Sequence, residues 1–468
     1  MTGILALAAY LPRYRLSAAV LSAVWGQKLP GRERPVAGHD EDSLTMAFEA
    51  LTGVLEGRDA RSVDGLFFAT TTPPYLEKSG AGFLAAALDA RRDVYASDFY
   101  GSLRSAVSAL RAARDAVESG SARLVAVGAA DRRLGAPGSD DELSLADAAG
   151  ALLLGSDDAA LEIEAIHSVN ADFLDAWRTD SDAYVRRGDA KFVQEEGYEA
   201  LGAEAVSGLL QAAGVGREGI DRVLLCVPDA RLHHSVARKL GFEDRAYPER
   251  PLASTLGDAG TAAPLLALAA EAERLAPDRR ALVLAFGSGC DAVLLRATRN
   301  VSRLGAQEAL RRQLESGRPL VHYGRYLRFR DLLGEGQSAP FSSPAILHRE
   351  ETAYLKLYGE KCRRCGRIHF PPQRICRGCR AMDDFEDVRL SRRGRVFTYT
   401  VDHLVPTPDP PVVMASADLE GGGRFYGQVA DCAPDEVSVG MEVELCLRRL
   451  HEGGGFHHYF WKMRPAKR

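Results

Sequence analysis

Four cysteines carry the clearest chemistry in this sequence. Cys362-x-x-Cys365 and Cys376-x-x-Cys379 are separated by the ten residues Gly366 to Ile375, and each pair can present two thiolates from a tight knuckle to one tetrahedral ion. The spacing predicts a four-cysteine zinc site, the alternative being a ribbon that has lost its metal. With protein filling all four positions, nothing is left to activate water, so the zinc would be structural. Cys290, Cys432 and Cys446 have no partner at ligand spacing and read as core or incidental thiols.

A second stretch, Val94 to Arg104 (VYASDFYGSLR), has the layout of a reactive turn. It reads as a short apolar strand, a tight turn and a helix. Leu103, Ala106, Val107, Leu110, Ala113 and Val117 recur at helical spacing, and Gly120 stands where a C-terminal cap is wanted. A group on such a turn faces the unsatisfied N–H groups that open the helix, which favour a thiolate or an oxyanion. The residue expected at the turn is Phe99, which has no lone pair and no proton to move. Chemistry here must therefore proceed without a covalent nucleophile. Asp98, Tyr100, His233, His234 and Asp258 are the side chains that could act as acid or base. Each has a plainer reading: packing for the elbow tyrosine, a turn carboxylate for Asp258, surface or capping positions for the histidines. Cys226 reads as a small buried hydrophobe.

The elements that must position these groups fall into two textures. At 468 residues, 46% hydrophobic and 26% charged, the chain has room for two or three domains with sizeable cores. A net charge of -5 with mixed signs gives no global attraction to nucleic acid or acidic membranes. The apolar start is broken by Pro12, Arg13 and Arg15 and reads as a buried strand rather than a signal peptide. No run approaches the length of a spanning helix. Eight cysteines, four of them in paired knuckles, suit a reducing, cytoplasmic compartment better than a disulfide framework.

Over the first 300 residues strands and helices alternate. Strands are expected at Gly3 to Pro12, Gly65 to Thr70, Arg123 to Gly128, Gly150 to Leu154, Arg222 to Val227 and Ala281 to Phe286. Helices are expected at Glu41 to Leu55, Ala203 to Ala213, Ser235 to Leu240 and Thr261 to Leu275. The alternation predicts a mostly parallel sheet covered on both faces, built as two similar α/β halves. Beyond residue 300 come a charged helical linker (301–355), a Gly/Ser/Pro-rich loop at 336–346 within it, the cysteine ribbon (356–388) and short strands of a small barrel (389–468).

The first 300 residues resemble the thiolase superfamily, specifically 3-hydroxy-3-methylglutaryl-CoA synthase and β-ketoacyl-ACP synthase III. The resemblance rests on Ala9-Tyr10-Leu11-Pro12-Arg13-Tyr14-Arg15-Leu16, Glu41-Asp42-Ser43-Leu44-Thr45-Met46-Ala47, Ala146-Asp147-Ala148-Ala149-Gly150-Ala151, Ala237-Arg238-Lys239-Leu240-Gly241-Phe242 and Phe286-Gly287-Ser288-Gly289, in that order. The remainder, with CRRCGRIHFPPQRICRGC, is similar to the zinc-ribbon plus OB-fold family that accompanies thiolases in acyl-CoA pathways. The resemblance implies a duplicated five-layer α/β domain followed by the linker, ribbon and OB-type barrel, a homodimer, and a CoA thioester as substrate or ligand.

It also implies what is missing. The family's nucleophilic cysteine falls on Phe99, its acidic acid/base on Thr71, its histidine on Cys226 and its asparagine on Asp258. Thiolate-based condensation is therefore not expected. Backbone donors survive: the N–H groups of Phe99 and of Ser288 or Gly289 could still polarise a thioester carbonyl. Two functions follow, an aldol or retro-aldol enzyme acting on a CoA thioester, or a non-catalytic acyl-CoA-binding subunit docking a partner thiolase. A third reading, single-stranded nucleic acid on the barrel, draws on Arg363, Arg364, Arg367, Arg374, Arg377 and Arg380 beside aromatics such as Phe397, Tyr399 and Tyr426. Those arginines equally suit the phosphates of CoA.

Overall fold

The computed structural model describes residues 2–29, 31–334 and 343–466. The chain forms two compact units, one comprising residues 1–37 and 42–323, the other 38–41 and 324–468. The helix Ala306–Glu315, expected in the linker, belongs to the first unit: its Ala306 and Leu310 are buried in the same core as Ile4 and Leu7. Most of the 336–346 loop lies outside the described residues.

The first unit is built on a nine-stranded sheet. In spatial order its strands are Arg222–Cys226, Arg280–Phe286, Gly289–Ala297, Leu161–Asn170, Gly3–Tyr10, Ala148–Gly155, Val125–Asp131, Gly65–Thr70 and Tyr95–Tyr100. The sheet is mixed rather than mostly parallel. Its middle is antiparallel: Arg280–Phe286 returns directly as Gly289–Ala297, Gly289–Ala297 pairs antiparallel with Leu161–Asn170, and Gly3–Tyr10 runs antiparallel to both Leu161–Asn170 and Ala148–Gly155. Parallel pairs stand at both ends, where helices provide the crossovers. The two halves repeat one design. Helix Ser43–Val54 covers one face of the first half, and helix Gly202–Ala213 covers the second. Helices Ser105–Glu118 and Ala263–Glu271 share a single core between the halves, with Ala106, Leu110 and Ala113 meeting Leu265, Leu266 and Ala269. This is the duplicated, layered arrangement implied by the resemblance.

Sequence explains these placements locally. Asp42 accepts from the Thr45 N–H while the Thr45 hydroxyl accepts from the Asp42 N–H, a capping box that starts helix 43–54. Asp229 accepts from the Leu232 N–H and begins helix Ala230–Lys239, five residues earlier than the apolar spacing suggests. Strand Val125–Asp131 is buried along its whole length, so it reads as a continuous apolar run rather than an alternating one.

In the second unit, strands Tyr358–Cys362, Ile368–His369 and Phe385–Arg389 form the ribbon sheet. Arg393–Asp402, Val412–Leu419, Arg424–Gln428, Glu442–Gly453 and Phe456–Pro465 form a five-stranded antiparallel sheet. Phe425, Trp461 and Met463 fill its interior. The tetrapeptide Gly38–Glu41 is part of this unit: Arg448, fully buried, meets Glu41 at 3.2 Å and Asp431 at 2.8 Å, and Lys462 meets Asp40 at 2.8 Å.

Strand Tyr95–Tyr100 ends the nine-stranded sheet and, among the described residues, is bonded only on the side of Gly65–Thr70, with Tyr95 63% exposed. A bare edge of that length is a liability that pairing with a second copy removes. Light scattering at micromolar concentration is expected to give twice the chain mass; a single-chain mass would overturn the dimer.

Candidate functional site

The reactive-turn layout is present, shifted by two residues. Strand Tyr95–Tyr100 runs through Phe99, which pairs opposite Ala69 and packs its ring on Phe67 at 5.5 Å. The turn is made by Gly101, with a positive φ of 89°, followed by Ser102 and Leu103 before helix 105–118 begins. Positive φ at this point suits glycine, and glycine again supplies no nucleophile. The neighbouring Ser102 hydroxyl donates to the Gly287 carbonyl at 3.0 Å.

Arg104, at the N-cap of that helix, ties the turn to Phe286–Gly289. Its guanidinium donates to the carbonyls of Gly287 and Ser288 at 2.8 and 3.2 Å, to Asn170, and to buried Asp291 at 2.7 Å. A cation at the positive end of a helix is unfavourable by itself; Asp291 supplies the counter-charge. The Ser288 backbone N–H, one of the expected oxyanion donors, faces the Asp175 carboxyl, while Gly289 opens the strand paired to Asn170. Phe99, lying within a strand, is not part of this turn.

Behind the turn lies a cavity lined by Leu103, Asp175, Arg187, Tyr198, Cys226, Asp258 and Phe286 among others. Asp258 sits between two guanidiniums: Arg133 Nη1 and Arg187 Nη2 are each 2.9 Å from its Oδ2, and its Oδ1 accepts from the Gly260 N–H at 3.0 Å. Burial pushes its carboxyl up, but the two arginines outweigh that and hold it well below the usual carboxylate range. A carboxylate held that firmly in its ionised form is a weak base, so Asp258 anchors the wall of the cavity. Arg187 is shared with Asp141 at 2.6 Å.

Asp175 is a titratable group lining the cavity that sequence alone does not single out. It is 8% exposed, and burial raises its carboxyl from the ordinary value against the opposing pull of the Ala176 and Ser288 N–H groups and Arg133. A carboxyl whose proton affinity is raised by burial in a cleft is a candidate for proton transfer. It lies in the irregular link between Asn170 and the short strand Ala176–Trp177, where neither periodicity nor a motif marks it. Burial likewise raises the Cys226 thiol, with Asp258 adding to it, so that sulfur stays protonated.

The remaining candidates are dispersed. Asp98 accepts from the Ala81 N–H at 2.7 Å, the Ser79 hydroxyl at 2.8 Å and the Tyr100 hydroxyl at 3.0 Å, and so holds the start of helix Gly80–Leu88. Neither Asp98 nor Tyr100 lines the cavity. Thr71 is held by its backbone, its N–H donating to Asp131 at 2.7 Å and its carbonyl accepting from Arg178 at 3.2 Å. His233 is buried at 2% exposure and its Nε2 accepts from the Leu225 N–H at 3.1 Å; His234 Nε2 lies 3.2 Å from the Pro248 carbonyl. His233 and Asp258 do line one space, a second cavity beside the first.

In the ribbon, the sulfurs of Cys362, Cys365, Cys376 and Cys379 all lie within 4.8 Å of one another, with Cys362 to Cys379 at 3.6 Å and Cys365 to Cys376 at 3.5 Å. Tetrahedral zinc with sulfur at about 2.3 Å places its ligands roughly 3.8 Å apart, so the four thiolates fit the ion. His369 Nε2, 3.4 Å from Cys376 Sγ, and the Gly378 N–H, 3.3 Å from it, form an outer shell. Of the neighbouring arginines, Arg364 pairs with Asp384 at 3.2 Å and Arg374 with Asp383 at 2.9 Å, while Arg363 lies 3.9 Å from Glu386. Such pairing disperses the positive field that a nucleic-acid strand would follow.

Known proteins divide along the same boundary. Residues 353–383 match the ChsH2 rubredoxin-like zinc ribbon domain and residues 387–448 the ChsH2 C-terminal OB-fold domain. A DUF35 domain-containing scaffold protein of Methanocaldococcus jannaschii is 41% identical over 116 residues, covering 24% of this chain and 82% of that protein. The C-terminal region belongs to the DUF35 family. Ahead of this DUF35 region, the hydroxymethylglutaryl-CoA synthase of Methanopyrus kandleri is 28% identical over 342 residues, 71% of this chain and 97% of the relative. PksG, an HMG-CoA synthase from Bacillus subtilis, superposes with a TM-score of 0.63 at 16% identity, covering 71% of this chain and 89% of its own. An HMG-CoA synthase complexed with CoA gives a TM-score of 0.60 at 19% identity, covering 68% and 88%. The N-terminal part is thus an HMG-CoA synthase-like thiolase fold joined to a DUF35 module, as the resemblance implies. Among the described residues no helix is long and apolar enough to cross a membrane.

Two measurements follow. A Cys362→Ser, Cys365→Ser variant should lose zinc by elemental analysis and become protease-sensitive between roughly residues 355 and 385, since a structural zinc supplies on the order of 10 kcal/mol to a segment this poor in apolar residues. Native protein without zinc would overturn the site. Burial, with His234 adding, lowers His233 to about 4, so below its ordinary 6.5 the unfolded chain takes up the proton first. Stability of the first unit should fall as pH drops from 6.5 to 4, by at most about 1.4 kcal/mol per pH unit from this group. Urea unfolding of His233→Gln should show a shallower slope over that range; an unchanged slope would refute the assignment.

Proposed function

We propose that this chain binds an acyl-CoA thioester in its thiolase-fold region and makes or breaks a carbon–carbon bond of the aldol type without an acyl-enzyme. The observation that carries the reading is Asp175: a buried carboxyl with a raised proton affinity, in a cavity whose helix-start turn offers glycine where a nucleophile would stand. In the cleavage direction the Asp175 carboxylate takes the β-hydroxyl proton and the bond between α- and β-carbons breaks, forming an aldehyde or ketone. The electron pair passes to the thioester oxygen as an enolate, and the carboxyl returns its proton to the α-carbon. The Ser288 N–H, freed from Asp175 once substrate intervenes, is the donor placed to meet that oxygen. Zinc, held by Cys362, Cys365, Cys376 and Cys379, supplies structure to the ribbon; the reading places the protein in the cytoplasm as a homodimer.

A second reading has its own support. Asp258 is locked by Arg133 and Arg187, and Thr71 is committed through its backbone to Asp131, which suits a non-catalytic acyl-CoA-binding subunit that docks a partner thiolase through its DUF35 region. Calorimetry with acetyl-CoA and β-hydroxyacyl-CoA, alongside intact mass spectrometry, separates the readings. Binding is expected with no stable covalent adduct on the 95–105 peptide. Cleavage of a β-hydroxyacyl-CoA should fall at least a hundredfold in Asp175→Asn while affinity stays within about threefold. Binding with no turnover in the parent protein would favour the subunit reading, and an adduct would overturn both.

A further inference from the structure

The second cavity shares a wall with the first, and its walls come from strand Arg222–Cys226, the segment Pro248–Ala259 and helix Ala263–Glu271. Cys226, Asp258 and Ala263 line both cavities, so the partition between them includes two small side chains. Its lining is chiefly apolar, with Leu225, Leu252, Leu256 and Leu266 prominent. Close-packed interiors leave few such spaces, and an apolar lining of this kind accepts apolar guests.

Besides Asp258, two polar groups punctuate that lining. His233 Nε2 accepts from the Leu225 N–H, which places the proton of the neutral ring on Nδ1, and Nδ1 finds no acceptor among the described residues. Glu271 Oε2 accepts no hydrogen bond and meets Arg222 and Arg274 only at 3.5 and 3.8 Å. A buried donor without an acceptor costs free energy, and a guest oxygen would remove that cost.

The geometry points to a binding site for a medium-length acyl chain in this second cavity, entered past Cys226 and Ala263, with a carbonyl or hydroxyl oxygen on the chain accepting from His233 Nδ1. This deepens the acyl-CoA reading, on which the identity of the chain's carrier rests. The cavity itself is tested without CoA. Methyl hexyl ketone, a chain with one carbonyl oxygen, should bind the full-length protein saturably by calorimetry. Ala267→Phe, which fills the cavity, and the milder Ala253→Leu should each weaken it at least tenfold, with thermal melts confirming that both variants fold. In His233→Phe the ketone should lose its advantage over the hydrocarbon of equal length. Octanoyl-CoA should bind the parent at least tenfold more tightly than acetyl-CoA, and the two should become equal in the filled variants. Failure of the ketone to bind, or equal binding by parent and filled variants, overturns the inference whatever CoA does. Ketone binding without acyl-CoA binding upholds the cavity and overturns the proposed function.

Discussion

The pairing of Asp258 with Arg133 and Arg187 is the constraint on which the first unit's cleft depends. Two guanidiniums share one largely buried carboxylate, and Arg187 reaches on to Asp141. Removing one member of such a group leaves a charge without compensation in a poorly solvated place, which costs far more than a surface ion pair contributes. The backbone reinforces it: the Asp258 N–H donates to Ser144 at 2.7 Å and its carbonyl accepts from Ala146 at 2.9 Å. The segments around residues 133, 141–146, 187 and 258 are therefore held as one wall.

A second carboxylate works in parallel. Asp131, fully buried at the end of strand Val125–Asp131, accepts from the backbone and hydroxyl groups of Thr70, Thr71, Thr72 and Thr261 at 2.7 to 3.0 Å. It ties the loop after strand Gly65–Thr70 to the start of helix Ala263–Glu271, one element from each half of the duplication. Both acids are saturated with donors, and this saturation makes them parts of the frame. What distinguishes Asp175 is that its donors fall short of its burial cost, so its proton affinity rises instead.

Much of the architecture was legible in the sequence because it is written locally. Strand Gly65–Thr70 was readable as an apolar run, helix Gly202–Ala213 as a periodic face, and the cysteine knuckles as a ligand spacing. The turn after Tyr100 was misplaced by two residues because Phe99 extends an ordinary strand, and only Gly101 carries the backbone conformation that ends it. Strand Gly289–Ala297 was not separated from its neighbour, since a fully buried hairpin lacks alternation. The site was the least legible part. Arg133, Arg187 and Asp258 are far apart in the chain, and no spacing announces that three distant charges meet. Asp175 sits in an irregular link, where only burial, a property of the folded molecule, makes it chemically different from any other aspartate.

The tetrapeptide Gly38–Glu41 bears on how this protein can be taken apart. Asp40 and Glu41 belong to the second unit, yet the ribosome makes them some four hundred residues before Arg448 and Lys462, the buried cations they neutralise. The DUF35 portion consequently cannot finish its ionic interior from its own contiguous stretch of gene. An isolated fragment beginning at residue 324 would emerge with Lys462 short of Asp40 and Arg448 short of Glu41. At the level of charge, the second unit is therefore encoded in two pieces of the gene.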